Sequence, residues 1–198
     1  AFVCEPAGNL VKRNILKSDG LNLTARSAHD EADFLTTTDQ RFRPVNAYTG
    51  PDGALYIVDM YRGIIQDANY VTSYLRQQIL ARGLEQPLGM GRIYRIVSED
   101  RAPAPPPRCS QATAAELVAA LSHPNGWRRD MAQRLLVERN DPAAGTLLED
   151  SITSKESKAT ALGKVHALWT LHGLGQLDPF VLREVFSDRD PQVVRAAV

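Results

Sequence analysis

Four of the five residues Pro103-Ala104-Pro105-Pro106-Pro107 are proline. Proline fixes φ and has no N–H to donate, so this run excludes helix and central strand and favours extended polyproline geometry. It predicts a semi-rigid spacer over residues 101–109 that separates two unlike segments, 1–100 and 110–198.

Before the spacer the signals are short strands and turns. Ala1 to Cys4 and Leu10 to Leu16 are apolar-rich runs on either side of Glu5-Pro-Ala-Gly-Asn9, which suits a reversal between antiparallel strands. A second hairpin is expected around Gly50-Pro51-Asp52-Gly53, because proline presets one corner and Asp-Gly gives access to φ > 0. Its arms are Val45 to Thr49 and Ala54 to Asp59. Between Asn69 and Leu80, the residues Val71, Tyr74, Leu75, Gln78 and Ile79 fall near helical spacing. The alternation of Arg92 to Val97 then predicts a last strand.

After the spacer the pattern is helical. Thr113 and Glu116 match a capping box that opens the run Leu117 to Leu121, and Pro124 with Asn125-Gly126 ends it. Helices follow from Trp127 to about Glu138, after Asp141-Pro142, from Lys158 to Leu171, and after Asp178-Pro179 and Asp190-Pro191. Aspartate caps and proline tolerates the first helical position, so each Asp-Pro pair reads as a helix start. Aligning Arg129-Asp-Met-Ala132, Lys164-Val-His-Ala167 and Arg195-Ala-Ala-Val198 gives separations of 35 and 31 residues, close to the period of helical-pair solenoids. Trp127, Trp169 and Leu168 are expected in its core.

Charge excludes some functions. Twelve basic residues face twelve acidic ones up to Ala102, and eleven face eleven afterwards, so no basic field invites nucleic acid. Cys4 and Cys109 stand alone, without ligands at metal spacing, and read as buried free thiols. His29 lies in a polar stretch and reads as a solvated loop residue, while His123, His166 and His172 lie at or on helices. None sits at metal-ligand spacing from a second histidine or a cysteine, so no metal site is expected. Asp52 and Asp59 give a poor calcium signal, because turn chemistry explains Asp52. The chain opens on Ala-Phe-Val-Cys and closes on Val-Arg-Ala-Ala-Val, which reads as a piece of a longer protein.

Two family resemblances sharpen these expectations. Asp188-Arg-Asp-Pro-Gln-Val-Val-Arg-Ala-Ala197 resembles the second-helix signature of HEAT repeats. Gln40-Arg-Phe-Arg-Pro-Val, followed by Pro51-Asp-Gly-Ala-Leu-Tyr-Ile-Val, is similar to the last part of the β-propeller in soluble dehydrogenases of sugars that depend on pyrroloquinoline quinone (PQQ). With Phe2-Val-Cys-Glu-Pro-Ala-Gly-Asn-Leu-Val11 and Gly91-Arg-Ile-Tyr-Arg-Ile-Val97, the whole chain resembles bacterial membrane-bound dehydrogenase proteins. Those join such a propeller to HEAT repeats and often to a c-type cytochrome domain. The expected fold is therefore α+β and multidomain: the C-terminal part of a propeller in residues 1–100, then an α-α solenoid of HEAT-type repeats in residues 110–198.

By the same resemblance, Arg41 and Arg43 hold the carboxylates of the quinone. Guanidinium groups suit that task because they stay charged and pair with planar carboxylates through two parallel hydrogen bonds. Alternate residues of an extended segment also point the same way. The family pattern has aspartate where this chain has Pro44. The alternative for Arg41 and Arg43 is structural pairing with Asp39 or Asp59. The resemblance implies a sugar or alcohol substrate, a cytochrome c or protein partner reached through the helical array, and a periplasmic or otherwise extracytoplasmic setting. The general base of those enzymes has no counterpart here, and no Cys-x-x-Cys-His attaches haem. The competing expectation is a non-catalytic scaffold that binds a glycan or protein.

Overall fold

The turn Glu5 to Asn9 shows how the first strands arise. The Glu5 carboxylate accepts the Ala7 N–H at 3.0 Å, and Asn9 takes φ 56°, a left-handed value that asparagine tolerates. Strands β1 (Phe2–Glu5) and β2 (Leu10–Asp19) therefore fold back on each other, with Cys4 opposite Val11. The computed structural model describes residues 1–20, 22–100 and 104–198. Of the expected spacer, residues 101–103 lie outside the described residues. The chain divides into two compact units, Ala1–Gly50 with Ala54–Pro103, and Pro51–Gly53 with Ala104–Val198.

The first unit holds two antiparallel sheets. In one, β2 pairs with β1 on one side and with β3 (Asn22–Ser27) and β4 (Leu35–Thr36) on the other. The other is a meander of β5 (Pro44–Thr49), β6 (Leu55–Asp59) and β7 (Arg92–Ile96). The hairpin β5/β6 has the expected arms, with Gly53 at φ +82° in its turn and Tyr48 opposite Tyr56. The helix α1 (Ser73–Ala81) lies in the chain between β6 and β7, and the Thr72 hydroxyl caps it by accepting the Leu75 N–H. Val11, Phe42 and Ile57 form the core, with Cys4, Phe34, Leu35, Leu55 and Ile96 against them. At about 1.5–3 kcal/mol per fully buried large apolar side chain, so small a core needs polar reinforcement.

Among its described residues the second unit has helices as its regular elements: α2 (Ala114–Ala120), α3 (Gly126–Arg139), α4 (Pro142–Thr153), α5 (Ala161–Gly173), α6 (Pro179–Val185) and α7 (Pro191–Ala196). The capping box is present, with the Thr113 hydroxyl accepting the Glu116 N–H and the Glu116 carboxylate accepting the Thr113 N–H. Asp141, Asp178 and Asp190 each cap the helix that their proline opens. One shared core gathers Leu117, Leu121, Leu136, Leu148, Leu171 and Val185.

The expected fold class is corrected. The structure is an α+β arrangement of two antiparallel sheets and seven helices among the described residues, without a closed propeller and without a demonstrated HEAT solenoid. A propeller repeats four-stranded blades around an axis, whereas here one sheet has three strands and the other carries β3, exposed along its whole length. A solenoid needs pairs of similar size. The first two helix pairs here have 7 and 14, and 12 and 13 residues. Trp169 is also corrected: it is 52% exposed, because the buried side of α5 runs through Ala167, Leu168, Thr170 and Leu171. Both cysteines are free and half-buried rather than buried, and desolvation raises the Cys4 thiol pKa.

Candidate functional site

Arg41 and Arg43 lie on the segment that leads into β5 and flank Phe42, which is buried in the core of the first unit. Both main-chain N–H groups find carboxylates: Arg41 N–H donates to Asp39 Oδ1 at 3.0 Å, and Arg43 N–H to Asp59 Oδ1 at 2.7 Å. The two acids named as side-chain partners therefore grip the backbone. Asp59 is 1% exposed, and its Oδ1 also accepts the Tyr61 N–H at 2.8 Å.

The guanidinium groups go elsewhere. Arg43, only 8% exposed, donates from Nε to Arg62 O at 2.8 Å, from Nη2 to Gly63 O at 2.9 Å, and from Nη1 to Pro6 O at 2.7 Å and Ala7 O at 3.3 Å. This one side chain ties the β1/β2 turn to the loop after β6. Burial pulls its pKa down, and the Asp59 charge opposes that pull. Arg41 is less enclosed and donates from Nε to Gln86 O at 3.0 Å and from Nη2 to Gly83 O at 2.9 Å. Alternation does place both side chains on loop backbone, but they share no acceptor.

These contacts test whether a quinone cofactor fits. A bidentate carboxylate grip needs two parallel, free N–H groups, and every nitrogen of the Arg43 fork already faces a main-chain carbonyl. Arg43 does not fit that role. Pro44, where the family pattern has aspartate, is buried at the start of β5 and stands opposite Asp59, with a bulge between it and Asn46.

Sequence reasoning missed the surroundings of Tyr61. Its φ is 47°, unusual for a bulky residue, and its hydroxyl donates to Asp39 Oδ2 at 2.9 Å while the Arg92 guanidinium lies 3.6 Å from its ring centre. The Arg41 N–H, foremost, and the Tyr61 hydroxyl hold the Asp39 carboxyl below its usual range. No sequence motif marks this cluster, because a left-handed tyrosine leaves no trace in residue type.

Beside Arg43 opens a cleft of about 230 Å³. Its α1 wall is Leu75, Gln78, Ile79 and Arg82, at the i, i+3, i+4, i+7 spacing of one helix face. Asn9, Gln40 and Gln66 line it from the loops. Asn9 is held there by its own side-chain N–H donating to Phe42 O at 2.6 Å.

In the second unit two histidines take structural places. His166 on α5 faces α3: its Nε2 accepts from Arg129 Nε at 3.2 Å, and its Nδ1 donates to Gln133 Oε1 at 2.7 Å. Burial and the Arg129 charge lower its pKa, opposed by Asp130. His123 Nδ1 accepts the Asn125 N–H at 2.9 Å. In the first unit, His29 is half-buried, with its Nε2 shut away from solvent, rather than solvated. Among the described residues, no three His, Cys, Asp or Glu side chains group as metal ligands, and no helix is long and apolar enough to cross a membrane.

No curated protein and no solved structure matches this chain. The family model described as a domain of unknown function, DUF7133, matches residues 1–100, half of the 198 residues and nearly the whole first unit, so the chain belongs to the DUF7133 family.

Proposed function

We propose that this chain is a non-catalytic recognition module, binding a glycan or a protein partner, in which Arg41 and Arg43 act as structural ties. One observation carries this reading: all three nitrogens of the Arg43 guanidinium donate to main-chain carbonyls. A side chain so engaged maintains a surface and does not grip a cofactor. The polar cleft beside it supplies hydrogen-bonding groups of the kind that recognition needs.

The competing reading is a piece of a quinone-dependent sugar or alcohol dehydrogenase that hands electrons to a cytochrome c outside the cytoplasm. It draws on the family resemblance and on Arg41, which among the described residues engages two of its five guanidinium N–H donors. Titration of the chain with PQQ and calcium, followed by absorbance, separates the two. The recognition reading expects no saturable quinone binding, and no reduction of an artificial acceptor on adding aldoses or alcohols. Saturable binding that Arg41→Ala abolishes would overturn it.

A further inference from the structure

The cleft on α1 has a composition that selects its ligand. Its lining includes two arginines, Arg43 and Arg82, and four carboxamides, Asn9, Gln40, Gln66 and Gln78, but no aspartate or glutamate. Arg43 is committed to carbonyls and lies close enough to Asp59 to feel its charge. Arg82, at the C-terminal end of α1, is exposed, and among the described residues its guanidinium makes no hydrogen bond or ion pair. The side-chain amides of Gln40 and Gln78 are likewise open among the described residues.

Apolar surface completes the lining. Leu75 and Ile79 from α1, with Ile64 and Leu84 from the loops, give the cleft an aliphatic side. Its volume of about 230 Å³ is below the roughly 300–1,000 Å³ of sites for drug-sized ligands, so it suits a single ring. A ligand that satisfies all three features has an aliphatic ring face, several hydroxyls that both donate and accept, and one negative charge.

From this we infer that the α1 cleft binds a sugar acid of the uronate class. Its carboxylate lies on Arg82, its hydroxyls on Gln40 and Gln78, and its C–H face on Leu75 and Ile79. This inference rests on the recognition reading above and names the ligand class of that surface. Arg82 is the residue that reads the charge, because it alone in the cleft has a free fork. The same chemistry occurs in a free sugar acid and at the end of an acidic polysaccharide.

Calorimetric titration of the whole chain with D-glucuronate, D-glucose and trigalacturonate tests the inference. Saturable glucuronate binding is expected, with glucose about tenfold weaker or more, because the charge-assisted pair is lost. Arg82→Gln and Gln78→Ala, both away from the core and checked for unchanged thermal unfolding, should each weaken glucuronate, Arg82→Gln by about tenfold. Tighter binding of trigalacturonate than of glucuronate assigns a polysaccharide end, and the reverse assigns the free sugar. The inference is overturned if glucuronate shows no saturation up to about 10 mM, if glucose binds equally well, or if Arg82→Gln leaves the affinity unchanged. PQQ titrated in parallel keeps the two readings apart. Quinone binding with intact glucuronate binding sinks only the non-catalytic reading, and silence of glucuronate with silence of quinone sinks only the cleft.

Discussion

Replacing Arg43 by alanine removes one guanidinium and strands four carbonyls, those of Pro6, Ala7, Arg62 and Gly63. Hydrogen bonds from a charged donor contribute about 1.5–3 kcal/mol each. Water can reach some of the freed carbonyls, so the sum overstates the loss. Counting two of the four bonds as lost without replacement gives about 3–6 kcal/mol, and this is the expected destabilisation of Arg43→Ala. Against a total stability of about 5–15 kcal/mol, that threatens the first unit. Arg43→Lys keeps the charge but replaces a planar fork by a point donor, and should cost about half as much.

The chain carries a convenient probe for this measurement. All six tyrosines, Tyr48, Tyr56, Tyr61, Tyr70, Tyr74 and Tyr94, lie in the first unit, and both tryptophans, Trp127 and Trp169, lie in the second. Urea unfolding followed through the near-ultraviolet tyrosine signal therefore reports the unit that Arg43 ties together. The order of midpoints should be wild type, then Lys, then Ala. If the alanine variant keeps its tyrosine-monitored unfolding free energy to within about 0.5 kcal/mol, the carbonyl grip does not hold the unit. Arg43 would then be available for a ligand after all.

Three further perturbations probe other contacts. In Gly63→Ala, a Cβ would meet the Leu84 carbonyl and lie 2.8 Å from Leu84 Cβ and 2.9 Å from its Cα; the backbone must move, at about 1–3 kcal/mol, and the tyrosine transition should fall accordingly. The pKa of His166 is depressed in the folded state, so its contribution is complete above the unfolded value near 6.5 and is lost as pH falls from there through the folded value. The tryptophan-monitored midpoint should thus drop on acidification, and His166→Gln, which cannot take up the proton, should flatten that part of the profile. Thr113→Ala removes the cap of α2 and should cost about 0.5–2 kcal/mol, with recovery of most of the loss by Thr113→Ser in the same urea experiment.

What was legible in the sequence was what neighbouring residues decide. Asp141-Pro142, Asp178-Pro179 and Asp190-Pro191 each begin a helix because cap and first position are adjacent in the chain. Gly50 to Gly53 turns because its conformational preferences are local. Strand β3 was missed although Leu23 and Ala25 alternate with Asn22, Thr24 and Arg26, a short period-two signal that buries neither face. The helical stripe on α1 was visible as far as Gln78 and Ile79. The next member, Arg82, belongs to the wall only because it lies one turn beyond Gln78 and beside the same cleft. The arginines mark the deeper limit. Residue type reveals that Arg41 and Arg43 carry forks suited to planar acceptors, and an acidic neighbour or a carboxylated ligand is the acceptor that a sequence can suggest. Main-chain carbonyls occur at every position and leave no signal, yet they take the forks of both Arg41 and Arg43. The same fork at Arg82 faces open cleft, so the difference between an arginine that holds the protein and one free to hold a ligand lies in which backbone comes within reach.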